Sequence, residues 1–369
     1  MNILIISPDY PDRFKVHYPF VKQLVDEFAR QGHHCDVIAP YSITKNKRFY
    51  PLKENDGEVI VYRPNYLSFS NLTIGKFNIS DFFHRKAINR VLRNLPFRPD
   101  VIYCHFWDSA LKGYAYSKKN KLPLFVASGE SNISSLLKNK FIPIDLKDYV
   151  NGVICVSTKN QEESVSLGLT TPDKCYISPN AVNSAVFKKI DRSECRKKLG
   201  IPEDRFVVSF VGAFINRKGS NRLSEAISKI KGEPVYSFFI GKGDKEPTCE
   251  NILFKGQLPH EQIPVYLNAS DVFVLPTLAE GCCNAIVEAM SCGLPVISSN
   301  LPFNWDVLDD SNSIMIDPCN VEAISKAIEK LRDDKVKRNQ MAEASLVKAQ
   351  RMTIDQRAKD IILYIESMK

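Results

Sequence analysis

The 369-residue sequence predicts an α/β protein made of two doubly wound, mostly parallel sheets. Three observations lead there. Short apolar runs alternate with amphipathic helical stretches, the signature of repeated βαβ units. The alternation starts afresh near Phe206. And the chain is too long for one compact core, so two domains are the default.

In the first half the predicted strands are Asn2–Ser7, Cys35–Ala39, Val59–Tyr62, Val101–His105, Leu124–Val126, Gly152–Val156 and Cys175–Ser178. A helix over Pro19–Arg30 puts Phe20, Val21, Leu24, Val25 and Phe28 on one face, with Gly32 past its end as a stop. A second helix is predicted over Asp81–Pro96, with an N-cap at Ser80 or Asp81. Its apolar side is Phe83, Ile88, Val91, Leu92 and Leu95; Arg85, Lys86, Arg90 and Arg93 form a basic side. A basic amphipathic helix suits either ordinary packing with a wet charged face or contact with anionic lipid. Open α/β sheets bind ligands at the carboxyl ends of their strands. Three stretches fall there: the loop Pro8–Phe14, which contains Arg13; His105 at a strand end; and Ser128-Gly129-Glu130 after the next strand.

The second half offers strands Phe206–Val211, Tyr236–Ile240, Ile252–Phe254, Val272–Leu275, Val296–Ser298 and Ser313–Ile316, and helices to about Lys231, from about Val321 and over Ile354–Met368. Gly212 through Gly219 follow the first of these strands; the glycine lets backbone come close, and Arg217 and Lys218 bring positive charge. Gly241-Lys242-Gly243 is read as a turn and not a dinucleotide fingerprint, because Glu246 stands where the third glycine belongs. The densest stretch is Asp271–Ser299. Its strand ends at Pro276, a turn runs to Gly281, and a helix spans about Cys283–Ser291, stopped by Gly293 and Pro295. Free N–H groups and the positive end of a helix dipole at its start suit a diphosphate. Glu280 lies just ahead of that helix and Glu288 inside it, placed to reach a sugar and a ribose on either side of such a phosphate. For two isolated glutamates, a capping residue and a solvated one would be the ordinary reading.

Composition narrows the classes. The net charge is +8, and residues 1–180 hold most of it, with 24 Lys and Arg against 17 Asp and Glu, leaving 26 against 25 in the rest. An anionic partner for the first half follows: a membrane surface, a lipid-linked phosphate or nucleic acid. No apolar run approaches the roughly 20 residues that span a bilayer, and the opening MNILIIS reads as a strand, not a leader. Ten cysteines form no metal-ligand spacing, so reduced, buried thiols of a cytosolic protein are expected.

The phrase Glu280-Gly281-Cys282-Cys283-Asn284-Ala285-Ile286-Val287-Glu288, followed by Cys292-Gly293-Leu294-Pro295, resembles the E-x7-E signature of glycosyltransferase family 4, retaining enzymes of the GT-B fold. Gly212 through Gly219 resembles that family's VG…RKG segment, and Pro179-Asn180-Ala181-Val182-Asn183 with Phe187 its PNGVD…F segment, with Ala181 and Asn183 in place of glycine and aspartate. The loop after the first strand lacks the family's usual glycines, and Ser128-Gly129 stands where many relatives have His-Gly. The resemblance implies two Rossmann-like domains facing a cleft: 1–184 on the acceptor side, 185–352 holding the nucleotide sugar, and 353–369 as a helix crossing back. It implies transfer of a hexosyl or N-acetylhexosaminyl group, with retention, from a UDP- or GDP-linked sugar to a glycan or lipid-linked hydroxyl in bacterial surface polysaccharide synthesis.

In residue terms it implies catalytic roles for Glu280, Arg217 and Lys218; where the histidine is missing, Glu130 is the candidate substitute for contact with the acceptor or sugar, a hydrogen-bonded structural role being the alternative. Donor contacts are expected from Gly212, Asn180, Gln257, Leu258, Gly281, Cys282, Cys283, Asn284 and Glu288, and acceptor-side contacts from Arg13 and His105. No cofactor and no metal is expected, the basic pair carrying that electrostatic work; nor is nucleic acid. The expected location is cytoplasmic, peripheral on the inner membrane face through the 81–96 helix. Two other classes compete: a GT-B nucleotide-sugar epimerase, which would turn over without acceptor, and a non-catalytic carbohydrate- or lipid-surface-binding protein, against which the full Arg217, Lys218, Glu280 and Glu288 set argues. Nucleic-acid binding would explain the charge but not the carboxylates.

Overall fold

The computed structural model describes residues 1–12, 18–44, 50–69, 72–74 and 77–369; Arg13 lies outside them. The chain forms two compact units, Met1–Ser178 together with Ile354–Lys369, and Pro179–Thr353.

The first unit is built on eight strands: β1 (Asn2–Ile6), β2 (His34–Ile38), β3 (Lys53–Asp56), β4 (Val59–Tyr62), β5 (Val101–His105), β6 (Leu124–Ser128), β7 (Gly152–Cys155) and β8 (Cys175–Ile177). They lie in the order β8-β7-β6-β5-β1-β2-β4-β3. All pairings are parallel except β3 with β4. Their near-continuous apolar runs are what a sheet covered on both faces requires. One face packs Leu4, Ile6, Ile102 and Cys104 against α2 (Ile79–Leu92) and α3 (Trp107–Asn120). The other packs Ile3, Ile5 and Tyr103 against α1 (Pro19–Arg30) and the last helix.

Three differences from the sequence reading have local causes. Strand β3 carries Lys-Glu-Asn-Asp and no apolar residue, so periodicity misses it; the Asp56-Gly57 step, with Gly57 at φ +63°, is the hairpin signal that marks it. Helix α2 begins earlier than predicted, since the Asn78 side chain accepts from the Asp81 N–H at 2.9 Å. It ends at Leu92 rather than Pro96, because proline has no N–H to give and forces Leu95 out of helical geometry. The unit also stops at Ser178, not 184. Residues 179–187 belong to the second unit: the Val182 N–H donates to the Met352 carbonyl at 3.0 Å, and the Phe187 ring lies 4.8 Å from that of His260.

The second unit has six parallel strands: β9 (Phe206–Val211), β10 (Val235–Ile240), β11 (Ile252–Gly256), β12 (Val272–Leu275), β13 (Val296–Ser299) and β14 (Ser313–Ile316), in the order β11-β10-β9-β12-β13-β14. The winding direction reverses between β9 and β12. In a doubly wound sheet, side chains leaving the carboxyl ends of those two strands converge on one crevice. Helix α4 (Ser220–Lys229) follows the β9 loop and α5 (Asn284–Ser291) follows the β12 loop. A fully buried Arg196 braces the opposite end. Its guanidinium donates to the carbonyls of Ala269, Pro202, Glu203 and Arg205 and to Asp271 Oδ2 at 2.8 Å, while Asp271 also accepts from the Val207 N–H. With Nε, Nη1 and Nη2 each donating and the Asp271 carboxylate as counter-charge, that buried charge is compensated.

After Thr353 the chain returns to the first unit as α6 (Ile354–Ser367). Ala358, Ile361, Ile362 and Ile365 are buried in its core, and the Tyr364 hydroxyl donates to the Lys174 carbonyl at 2.7 Å.

Candidate active site

The β9 and β12 loops place the two halves of the site in contact. The Leu278 N–H donates to the Arg217 carbonyl at 2.8 Å, and the Thr277 hydroxyl reaches the same carbonyl at 3.2 Å. Gly219 makes this approach geometrically allowed. It sits at φ +81° at the head of α4, and a Cβ there would be 2.5 Å from the Pro276 carbonyl. Similarly, a Cβ on Gly241 would be 1.9 Å from the Gly212 carbonyl, so the β10 turn lies flat against the Gly212 loop. Gly212 donates its N–H to the Ile240 carbonyl at 2.9 Å, which continues the sheet pattern past β9.

The side chains meet on one atom. Glu280 Oε1 accepts from Arg217 Nη1 at 2.7 Å and from Thr277 Oγ1 at 2.7 Å, and lies 2.8 Å from Lys218 Nζ. Arg217 also donates to the Ala279 carbonyl. Lys218 lies 3.7 Å from Cys283 Sγ. Burial pulls the Lys218 ammonium toward deprotonation, but Cys283 and Glu280 outweigh it and its pKa is raised overall. The Cys283 thiol in turn is pushed up chiefly by burial, against the pull of Lys218. Two cations therefore stand beside the N-terminus of α5, whose N-cap residue is Cys283 and which has no carboxylate in its first turn. That is a strong local concentration of positive potential, suited to a diphosphate. Glu280 is in a loop, as the sequence suggests, but it is buried. Removing it takes the carboxylate from a largely enclosed ammonium, so the loop position does not make its loss neutral for stability.

Other residues expected on the donor side are placed as follows. Asn180 Nδ2 donates to the Cys282 carbonyl at 2.9 Å and to Asn284 Oδ1 at 2.6 Å, tying the 179–187 segment to the start of α5. Gly281 and Cys282 form the bend just before that helix. Glu288 is buried on α5, and its Oε1 is 2.9 Å from His260 Nε2. Gln257 and Leu258 follow β11 and lead directly into His260.

Sequence reasoning missed His260 and Thr277. The Thr277-Leu278-Ala279-Glu280 spacing has the form of a helix capping box, but no helix begins there; the threonine hydroxyl bonds the carboxylate instead. His260 raised no periodic signal, sitting just past the β11 end. The hydrogen bond to Glu288 raises its pKa above the usual imidazole value.

In the first unit the structure gives Glu130 and His105 different surroundings from the crevice above. Glu130 Oε1 accepts from the Trp107 N–H at 2.8 Å, the first turn of α3, and Oε2 from Ser128 Oγ at 3.0 Å. Asn160 Nδ2 donates to the Glu130 carbonyl at 3.0 Å. Burial pushes the Glu130 carboxyl up to about 7 against these hydrogen bonds. Glu130 thus caps α3, whose preceding residue Phe106 sits at φ +71°. His105 is buried among Phe20, Tyr103 and Phe106, and burial, then Arg357, hold it neutral with a pKa of about 3.

Known proteins share this architecture and sequence. The model of the family described as Glycosyl transferases group 1 matches residues 191–346, and that of Glycosyltransferase Family 4 matches residues 20–186. A Bacillus subtilis protein, TuaC, named for teichuronic acid biosynthesis glycosyltransfer, is 26% identical over 93% of this chain and 92% of its own. A human component of phosphatidylinositol N-acetylglucosaminyltransferase is 29% identical over 89% of this chain and 68% of its own. Among solved structures, sucrose-phosphate synthase from Thermosynechococcus elongatus superposes with a TM-score of 0.80 over 100% of this chain and 99% of its own, at 18% identity. Anabaena HepE in complex with UDP and glucose gives 0.73 over the whole of both chains, at 16% identity. With both halves of the chain matched in sequence, and two parallel-sheet α/β units carrying the E-x7-E pair at the switch point of the second, this chain belongs to the family 4 glycosyltransferases of the GT-B fold.

Proposed function

We propose that the protein transfers a hexosyl or N-acetylhexosaminyl group, with retention, from a nucleotide-diphosphate sugar to a hydroxyl of a glycan or lipid-linked acceptor. The second unit takes the donor and the first unit the acceptor. The observation that carries this reading is the meeting of Arg217, Lys218 and Glu280 on one carboxylate oxygen beside the start of α5. A nucleoside diphosphate brings its own negative charge to the two cations, which stabilise it as it leaves, without a metal ion. Glu280 then holds donor-sugar hydroxyls, and Glu288, oriented by His260, the ribose. The leaving phosphate accepts the acceptor proton on the same face of the sugar, so no protein nucleophile takes part. A UDP- or GDP-linked donor is favoured; the complexes of HepE with UDP and UDP-glucose support a nucleotide-sugar ligand for this fold. A role in bacterial surface polysaccharide synthesis, at the cytoplasmic face of the membrane, agrees with the relative TuaC and with the excess positive charge of the first half. Among the described residues no helix is long and apolar enough to cross a membrane.

The test is a thermal-shift panel with UDP, GDP, ADP and CMP, without metal and then with Mg²⁺. A ligand at about 100 times its Kd adds roughly 2.7 kcal/mol. One nucleoside diphosphate should shift the protein without metal and fail to shift Arg217→Ala. No shift with any of the four removes the donor site from the second unit.

A further inference from the structure

The apolar side of α2 does not face outward: Ala87, Ile88, Val91 and Leu92 are in the core. What α2 shows to solvent is Phe82, Lys86, Arg90 and Arg93. Spaced four, four and three residues apart, these fall on one stripe of the helix. Phe82 is 45% exposed at the head of that stripe. Residues 82–99 contain five Lys and Arg and no Asp or Glu.

A second acid-free segment is fastened to the same edge. After the short helix Ile133–Leu137, residues 138–144 read Lys-Asn-Lys-Phe-Ile-Pro-Ile. Lys140 turns inward and fixes this loop to the start of α2 and of α3: its Nζ is 3.5 Å from Asp81 Oδ1 and pairs with Asp108. Lys112, almost fully buried, completes the cluster, 3.3 Å from Asp81 Oδ1 and paired with Asp108. Because Lys140 is anchored, Phe141 and Ile144 point away from the core, 78% and 99% exposed. Lys138 beside them is exposed too. Large apolar side chains held out by a partly buried ion cluster and flanked by Lys138 and the cations of α2, with the one adjoining carboxylate, Asp145, paired to Lys118, match the layered chemistry of an anionic bilayer: apolar tips for the acyl boundary, cations for the headgroups.

We propose that the 138–144 loop, with the solvent stripe of α2, is the edge by which this protein docks on an anionic lipid surface, Phe141 and Ile144 entering the bilayer and Lys86, Arg90 and Lys138 meeting headgroups. The proposal rests on the membrane part of the function proposed above and replaces the helix alone with a loop-and-helix edge.

The experiment is sedimentation of the full chain with vesicles rich in phosphatidylglycerol and with pure phosphatidylcholine vesicles, at low and high salt. The wild type should pellet with the anionic vesicles only, and less at high salt. Phe141→Ser with Ile144→Ser should weaken that binding at least about tenfold, while keeping the nucleotide thermal shift and the melting temperature of the wild type. Lys86→Glu with Lys138→Glu should weaken it and flatten its salt dependence. If the wild type binds no vesicles, the membrane reading itself falls. If it binds and the Phe141/Ile144 double variant binds equally well, only this edge is overturned. A wild-type dimer in solution that the double variant dissociates would make a second copy the occupant and overturn the lipid assignment.

Discussion

Glu280 carries three contacts through a single oxygen, and this makes its two simplest replacements behave differently. Glu280→Gln keeps a carbonyl oxygen for Thr277 and Arg217 but loses the charge. Glu280→Ala loses both and leaves the largely enclosed Lys218 ammonium with Cys283 but no carboxylate beside it. Both should abolish transfer. The alanine variant should in addition be less stable than the glutamine variant by about 1–3 kcal/mol in urea unfolding; equal stabilities would mean that Lys218 finds another partner. Glu130 gives a pH prediction. Its folded pKa, about 7, lies above the ordinary glutamate value. The native state then holds a proton that the unfolded chain has lost, so stability falls as pH rises from about 4.5 to 7, by on the order of 3 kcal/mol. Glu130→Gln keeps an acceptor for the Trp107 N–H and should flatten that slope in melting curves taken between pH 5 and 8. A slope unchanged in the variant would place the titration elsewhere. The difference in legibility between these two residues is physical. Glu280 announced itself by its neighbours in sequence, because a loop and the helix it feeds are contiguous. Glu130 bonds a helix start at Trp107, on a different segment of the chain, and nothing in its own segment records that the carboxylate is turned inward.

At the level of elements, the site depends on how closely two loops lie together. Gly219→Ala puts a methyl group 2.5 Å from the Pro276 carbonyl at a backbone angle only glycine adopts easily. The cost should be about 1–3 kcal/mol of stability, and because the displaced loop carries Thr277 and Glu280, the nucleotide thermal shift should shrink with it. A variant that is destabilised but binds nucleotide normally would show that the loops move independently. The buried parallel strands were legible at this scale to within a residue or two, since runs such as Val101–His105 are apolar with sharp ends; the polar edge strand β3 was not. Helix α3 was not: Trp107–Asn120 mixes Lys112, Lys118 and Lys119 into its length, and its buried Lys112 breaks the apolar stripe. That lysine is tolerated inside because Asp81 and Asp108 meet it, partners that only the folded chain brings together.

For the whole molecule, the path of the chain is the controlling fact: the second unit is an insertion between residue 178 and residue 354 of the first. Deleting residues 354–369 removes Ala358, Ile361, Ile362 and Ile365 from the core shared with Ile3, Ile5 and Phe28. Calorimetry of the deletion should show a collapsed or lost transition for the first unit, while the transition that UDP or GDP shifts persists. Loss of both transitions together would mean that the units unfold as one. The two-unit plan could be read from length and the restart near Phe206, but the place where the chain changes units could not be read to the residue, because Pro179-Asn180 is marked only by what the Asn180 amide bonds far along the chain, at Cys282 and Asn284. The same path has a consequence at the ribosome. When residue 178 emerges, the sheet of the first unit has every strand but not the helix that seals one face. At about 5–20 residues per second, some 10–40 seconds pass before residues 354–369 follow. For that interval the second unit can finish while Ile3, Ile5 and Phe28 remain uncovered, so the half of the protein made first is the half completed last, and it is the one that chaperones would be expected to hold.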